Sequence, residues 1–245
     1  MGVFEARALE GIPEIVPGDD LAAAVDAAGG PFRPDDVIVL AHKVVSKAEG
    51  AVVELASVEP GDRALDLAAA QGRDPRLVQV ILDQSAEVIR AEREVIVCRT
   101  RHGFVCANAG VDGSNAGREG FVVCLPEDPD ASARRIRKAL PGRPAVVVTD
   151  SFGRAWRLGQ ADVAIGIAGV APLEDWRGRR DAGGRALAAT WIAVADEVAA
   201  AADLARRKDS GQPAVLVRGL GDLVTADDGP GAAALLRAAE EDLFL

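Results

Sequence analysis

Tyrosine is absent from the 245-residue sequence, which holds only six phenylalanines and three tryptophans. The core must therefore be assembled from Ala, Val, Leu and Ile. A surface that stacks successive nucleic-acid bases needs aromatic platforms and is not expected. Histidine is scarcer still: His42 and His102 are the only two. That removes His-rich metal centres and leaves little for a nucleophile–base–acid triad. The three cysteines, Cys98, Cys106 and Cys124, follow no CxxC spacing, so a zinc site is not expected and buried thiols in a reducing compartment are. Basic residues are outnumbered 28 to 38, for a formal charge of −10. This argues against a non-specific nucleic-acid footprint. It does not argue against a nucleotide, because a bound divalent cation can supply local positive charge.

Long apolar runs are missing as well. No stretch approaches the ~20 residues that a membrane-spanning helix needs, and the first residues, MGVFEARALEG, lack a basic region followed by an apolar one. A cytoplasmic protein with no membrane partner is expected. Three familiar motifs are absent too: GxxxxGK[ST], a strand followed by GxGxxG, and the GxSxG nucleophile elbow.

What is present is ample apolar material, 49% hydrophobic residues, with a mean hydropathy of +0.11. That is enough to bury a substantial core. Periodicity and turn residues predict helices over 20–28, 63–70, 75–85, 129–140, 195–207 and 231–243. Strands are predicted over 36–41, 50–55, 87–90, 94–99, 104–107, 122–125, 145–149, 186–194 and 213–217. Residues 11–19, 110–117, 150–159 and 178–184 read as polar or glycine-rich loops. Strands outnumber what simple helix–strand alternation gives, so the expected class is α+β with mixed sheets, in a single unit without repeats or linkers.

Three segments carry chemistry. The loop 109–117, AGVDGSNAG, sets Asp112 and Asn115 among glycines. Glycine lets backbone approach a ligand closely, and the side-chain oxygens suit a hard cation; an ordinary Asx turn has the same composition. At the exit of the strand AVVVT stand Asp150 and Ser151, a carboxylate beside a hydroxyl that can hold a metal against phosphate or simply cap a turn. Arg154 and Arg157 follow, suited to gripping an anion or to surface ion pairing. After the strand DVIVLA comes 43–47, KVVSK, where Lys47 can reach a phosphate or remain a solvated lysine.

Taken together, these segments resemble the F420-0:gamma-glutamyl ligase family. The matching stretches are GIPEIVPGDDL (11–21), VVSKAEG (44–50), AGVDGSN (109–115), TDSFGRAWRLGQADVAIGIAG (149–169), VADEVAAAADL (194–204) and AVLVRG (214–219). The resemblance implies an α+β fold of two intertwined lobes, an interlocked homodimer, and GTP as energy source. It also implies divalent cations (manganese or magnesium) with an effect of potassium, and L-glutamate joined to F420-0 through an acyl phosphate. It assigns Asp112, Asp150 and Ser151 to metal, with Asp112 and Asp150 central to catalysis. It assigns Ile12, Pro13, Glu14, Ile15, His42, Lys47 and Asn115 to the nucleotide.

Three departures from the family pattern stand out. Ser151 replaces a usual threonine, and His42 stands where a small hydroxyl residue is usual. The loop Arg206-Arg207-Lys208-Asp209-Ser210-Gly211 lacks a Gly-Gln pair that contributes to a second metal site. That site is then completed differently, or a basic side chain takes over part of its charge. An appended flavin reductase domain is not expected. The rival readings are a related metal-dependent ligase or kinase acting on a different carboxylate, and a noncatalytic nucleotide-binding paralogue.

Overall fold

Two apolar runs set the middle of the molecule, whose computed structural model describes residues 2–242. In Val37–Ala41 (β2) four consecutive residues are buried, and in Ala145–Arg154 (β8) the first five are; a strand covered on both faces shows this pattern. The two strands pair in parallel, with Val37 opposite Ala145 and Ala41 opposite Thr149. Glu5–Ala8 (β1), Ala214–Arg218 (β12) and Arg157–Ala168 (β9) complete a five-stranded sheet in the order β1-β12-β2-β8-β9. Its other pairings are antiparallel.

Helices α5 (Pro129–Ala139) and α6 (Val194–Ala205) pack against this sheet. The start of α5 is encoded locally. The Asp128 carboxylate accepts from Ala131 N at 2.9 Å, Pro129 fills the first turn, and Arg137 and Lys138 occupy the last. Arg137 is buried and donates to Asp228 Oδ1 and to the carbonyl oxygens of Asp227 and Thr225, each at 2.7 Å. Helix α1 (Leu21–Gly29) is capped by Asp20, which accepts from Ala23 N at 3.0 Å.

A second, separate core includes Ala64, Val78, Ile81, Ile96, Cys98 and Val122. It is built from α3 (Asp62–Gln71), α4 (Pro75–Asp83), the antiparallel strands β4 (Ser85–Glu92), β5 (Val95–Thr100) and β6 (Val105–Ala107), and the pair β3 (Val52–Glu54) and β7 (Phe121–Val123). All three cysteines are buried free thiols. The class is α+β, with a mixed five-stranded sheet and smaller antiparallel ones.

Four segments differ from the sequence reading. The polar stretch 150–159 is not a loop but the arm of a hairpin, because Asp150 through Gly153 pair with Val163 through Gln160 and satisfy their backbone across the ladder. Over 186–194 the strand shrinks to Trp191–Ile192 (β11), paired with Glu174–Asp175 (β10), and Ala186 makes only an isolated bridge to Arg180. The helical spacing of 231–243 yields 3-10 turns, Ala232–Leu235 and Ala239–Glu241; position 243 lies outside the described residues. There Ala232 N is held by Asp130 Oδ1 at 2.8 Å, a long-range bond that overrides local helix preference. Strand β1 was not anticipated; it is short and half-exposed at the sheet edge.

Candidate active site

Strand β2 ends at Ala41, opposite Thr149, while β8 runs on paired with β9 alone. His42, the first residue of α2 (His42–Ala48), therefore emerges beside Asp150. Crevices outside the carboxyl ends of parallel strands are where α/β sheets commonly bind ligands. A cavity of about 670 Å3 opens there. Asp112, Asn115, His42, Lys47, Asp150 and Ser151 all line it, and Ile12, Pro13, Glu14 and Ile15 form a further wall. The residues singled out from sequence for metal and nucleotide thus share one cavity. Arg154 and Arg157 do not line it; both are exposed near the hairpin tip, where Arg154 donates to Leu158 O at 3.0 Å.

The loop carrying Asp112 is an Asx turn and a wall of the cavity at once. Asp112 Oδ1 accepts from Ser114 N at 2.6 Å, while Oδ2 accepts from Lys43 Nζ at 2.7 Å. Lys43 also donates to Ser114 Oγ at 2.7 Å and to Ser114 O at 3.0 Å, fixing the loop. Burial raises the pKa of Asp112, but the Lys43 hydrogen bond and the Ser114 N–H outweigh it, so the carboxyl sits below its ordinary value. Lys47, four residues on and on the same helix face, is buried and donates to Glu14 Oε1 at 2.5 Å. His42 is buried too; its Nε2 lies 3.4 Å from Asp150 Oδ1, an ion-pair separation without hydrogen-bond alignment.

Beneath Ser151 lies a buried cluster around Asp162. Ser151 Oγ donates to Asp162 Oδ1 at 2.6 Å and Thr149 Oγ1 donates to Oδ2 at 2.8 Å. Arg206 ion-pairs with the same carboxylate and donates to Thr149 Oγ1 at 2.8 Å. Lys208 donates to Ser151 Oγ. Burial pushes the Asp162 carboxyl up; Arg206, the two hydroxyl donors and Lys208 together bring it below its usual range. The loop after α6 therefore delivers two cations to this side of the cavity.

The family model for F420-0:gamma-glutamyl ligase matches residues 11–219. The chain belongs to the F420-0:gamma-glutamyl ligase family. It is 45% identical over 245 residues to the coenzyme F420:L-glutamate ligase of Methanothermobacter thermautotrophicus, covering 96% of each chain. The protein of the same name from Methanopyrus kandleri is 43% identical, with 100% of both chains covered. That from Methanocaldococcus jannaschii is 40% identical over 87% of this chain and 86% of its own.

In this family member the donor set suits a magnesium-like ion. Asp112, Asp150 and Ser151 offer hard oxygens to one cavity, and such an ion is commonly held by one or two carboxylates plus substrate phosphates. A complete protein cage is not built: among the described residues, no group of three or more His, Cys, Asp or Glu converges. Two residues lining this cavity escaped the sequence reading. Lys43 lay inside the segment 43–47, but only Lys47 was assigned; their spacing of four is the signal that joins them. Asp162 is the lone charge heading the apolar run 161–171, and a carboxylate there requires a buried partner.

Proposed function

We propose that this chain is a GTP- and metal-dependent ligase that joins L-glutamate to F420-0 by an amide bond, acting through an acyl phosphate. The reading is carried by one observation: the carboxylates of Asp112 and Asp150 line a single cavity together with Lys43, Lys47 and Lys208, in a member of a family described as F420-0:gamma-glutamyl ligases. A carboxylate oxygen is a poor leaving group. In the first step an oxygen of the acceptor carboxylate attacks the γ-phosphorus of GTP, forming a C–O–P linkage as GDP leaves. In the second, the amine of glutamate attacks the acyl carbon; the C–N bond forms, the C–O bond to phosphorus breaks, inorganic phosphate departs, and nitrogen loses a proton.

Asp112, Asp150 and Ser151 would hold a divalent cation, manganese or magnesium, which neutralises phosphate charge and aligns donor with acceptor. The protein's own groups do the rest. Lys43 keeps Asp112 ionised and the 112–114 loop fixed. Lys47 supplies a buried ammonium for the phosphates, exchanging Glu14 for the ligand. Asp162 holds the Ser151 hydroxyl in place. The Ile12–Ile15 wall and Asn115 border the space left for the nucleotide. A homodimer in the cytoplasm belongs to the same reading, and light scattering checks the assembly.

The deciding experiment incubates the protein with F420-0, L-glutamate, GTP and manganese, and follows the products by mass spectrometry. Glutamyl mass increments that require all four components support the reading. A phosphorylated acceptor formed equally well without glutamate would make the protein a kinase. GTP binding with no GDP formed from any acceptor would make it a noncatalytic relative. Asp150→Asn is expected to lower turnover by at least about 100-fold with the fold intact, as for removal of a group acting on transition-state charge; full activity in that variant removes the metal assignment.

A further inference from the structure

A second cavity, of about 300 Å3, shares Asp112, Asp150, Ser151 and Gln160 with the first and is otherwise walled by different residues, among them Arg73 and Asn108. The shared side chains stand where the two spaces meet. Small-molecule pockets run from about 300 to 1,000 Å3, so the second space fits a ligand of amino-acid size and is too small for a nucleoside triphosphate.

Arg73 gives this cavity its character. It sits on the turn between α3 and α4, after the left-handed Gly72. Its Nη1 donates to Asn108 Oδ1 at 2.9 Å and to Glu94 O at 3.3 Å. Among the described residues no carboxylate pairs with it, and its Nε–Nη2 edge, the one that grips a carboxylate side-on, is uncommitted. Desolvation lowers its pKa, only partly offset by the fields of Cys98 and Glu94. The nearby Cys106 thiol is pushed up to about 12, first by burial and then by Asp150, so it stays neutral and offers no competing charge. The lining thus combines the Arg73 guanidinium with the Asp112–Asp150 partition shared with the larger cavity. An amino acid has the matching pattern: carboxylate toward Arg73, and amino group toward the partition, where it attacks as the free amine.

We propose that this second cavity seats the amino-acid substrate, with Arg73 holding a carboxylate of L-glutamate and the amine directed to the Asp112–Asp150 partition, where the activated carbonyl arrives from the other side. This rests on the glutamyl-transfer reading above. It also separates two jobs: the larger cavity activates, and the smaller one selects the nucleophile.

The test is steady-state kinetics of wild type, Arg73→Gln and Arg73→Lys, with KM measured for L-glutamate, F420-0 and GTP. Arg73→Gln is expected to raise KM for glutamate about 10- to 100-fold, leaving the other two KM values within about twofold. Arg73→Lys keeps charge but loses the fork and falls between. With the α-amide and γ-amide of glutamate as substrates, wild type rejects the amide that masks the gripped carboxylate, and Arg73→Gln loses that discrimination. Three outcomes overturn the proposal. One is an unchanged KM for glutamate. A second is a rise confined to F420-0, which would assign the cavity to the acceptor's anionic tail. The third is a parallel rise in all three KM values with a lower Tm, which would make Arg73 only a clasp for the Asn108 loop. If wild type forms no glutamylated product at all, the reaction reading fails instead. Calorimetric titration of L-glutamate then decides this proposal separately: binding to wild type that Arg73→Gln abolishes sustains it, and no binding ends it.

Discussion

Replacing Asp162 with asparagine would keep an amide oxygen within reach of Thr149 and Ser151 while removing the charge that faces Arg206. Both partners of that ion pair are buried, Asp162 at 1% and Arg206 at 8% side-chain exposure. Breaking such a pair from one side is expected to cost about 3–5 kcal/mol, read as a lower urea midpoint. The folded-state pKa of Asp162 lies below the ordinary carboxylate value. Its stabilisation is therefore fully present above the unfolded carboxylate value and lost as pH falls through the folded one. The stability gap between wild type and Asp162→Asn should accordingly be constant near neutrality and narrow below about pH 4. On the proposed reading, Lys47→Ala would remove a charge-assisted contact to phosphate worth about 1.5–3 kcal/mol, so KM for GTP should rise roughly 10- to 100-fold with little change in KM for glutamate. Asp112, Asp150 and Ser151 were legible in the sequence because glycines and a strand exit frame them. Lys43 and Asp162 were not, because what makes them part of the site is a partner far along the chain: Asp112 for one, Arg206 for the other.

At the scale of elements, the β8–β9 hairpin positions the chemistry. Its register shifts between Val148 and Thr149, where Gly166 and then Ala164 are the facing partners, leaving Ile165 as the extra residue. Bulges of this kind re-aim side chains beside active sites, and this one falls just ahead of Asp150 and Ser151. Gly166 is also where α5 closes on the hairpin: a Cβ there would lie 2.3 Å from the Pro129 carbonyl oxygen. Gly166→Ala is expected to destabilise by about 1–3 kcal/mol through overpacking, seen as a lower Tm. The apolar strands and the helices α1, α4 and α5 could be read directly from periodicity, and the structure places the caps Asp20, Asp74 and Asp128 at their starts. The arm 150–159 could not, because its polar residues become strand only by pairing with β9.

Across the whole molecule, the site draws on both cores: Asp112 follows the strands of one, and His42, Lys47 and Asp150 extend from the sheet of the other. A ligand bound there braces both. GTP with manganese at 100 times the dissociation constant should add about 2.7 kcal/mol, or roughly 5–10 °C in Tm for a chain of this size, and more than either alone. Asp150→Asn should lose the synergy, as scanning calorimetry would show. The α+β class could be inferred from the excess of strands; the strand order could not, because Val39 pairs with Val147 on one side and Val215 on the other, separations that local pattern does not encode. That pairing has a consequence during synthesis. Strand β2 leaves the ribosome early, yet its second neighbour, β12, is complete only at Arg218, roughly 180 residues on, a wait on the order of 10–30 s at ribosomal speed. Throughout that interval an apolar strand stands with a bare edge, so prematurely terminated chains would be aggregation-prone fragments rather than weakly active enzymes, and slower growth at lower temperature should favour recovery of the finished protein.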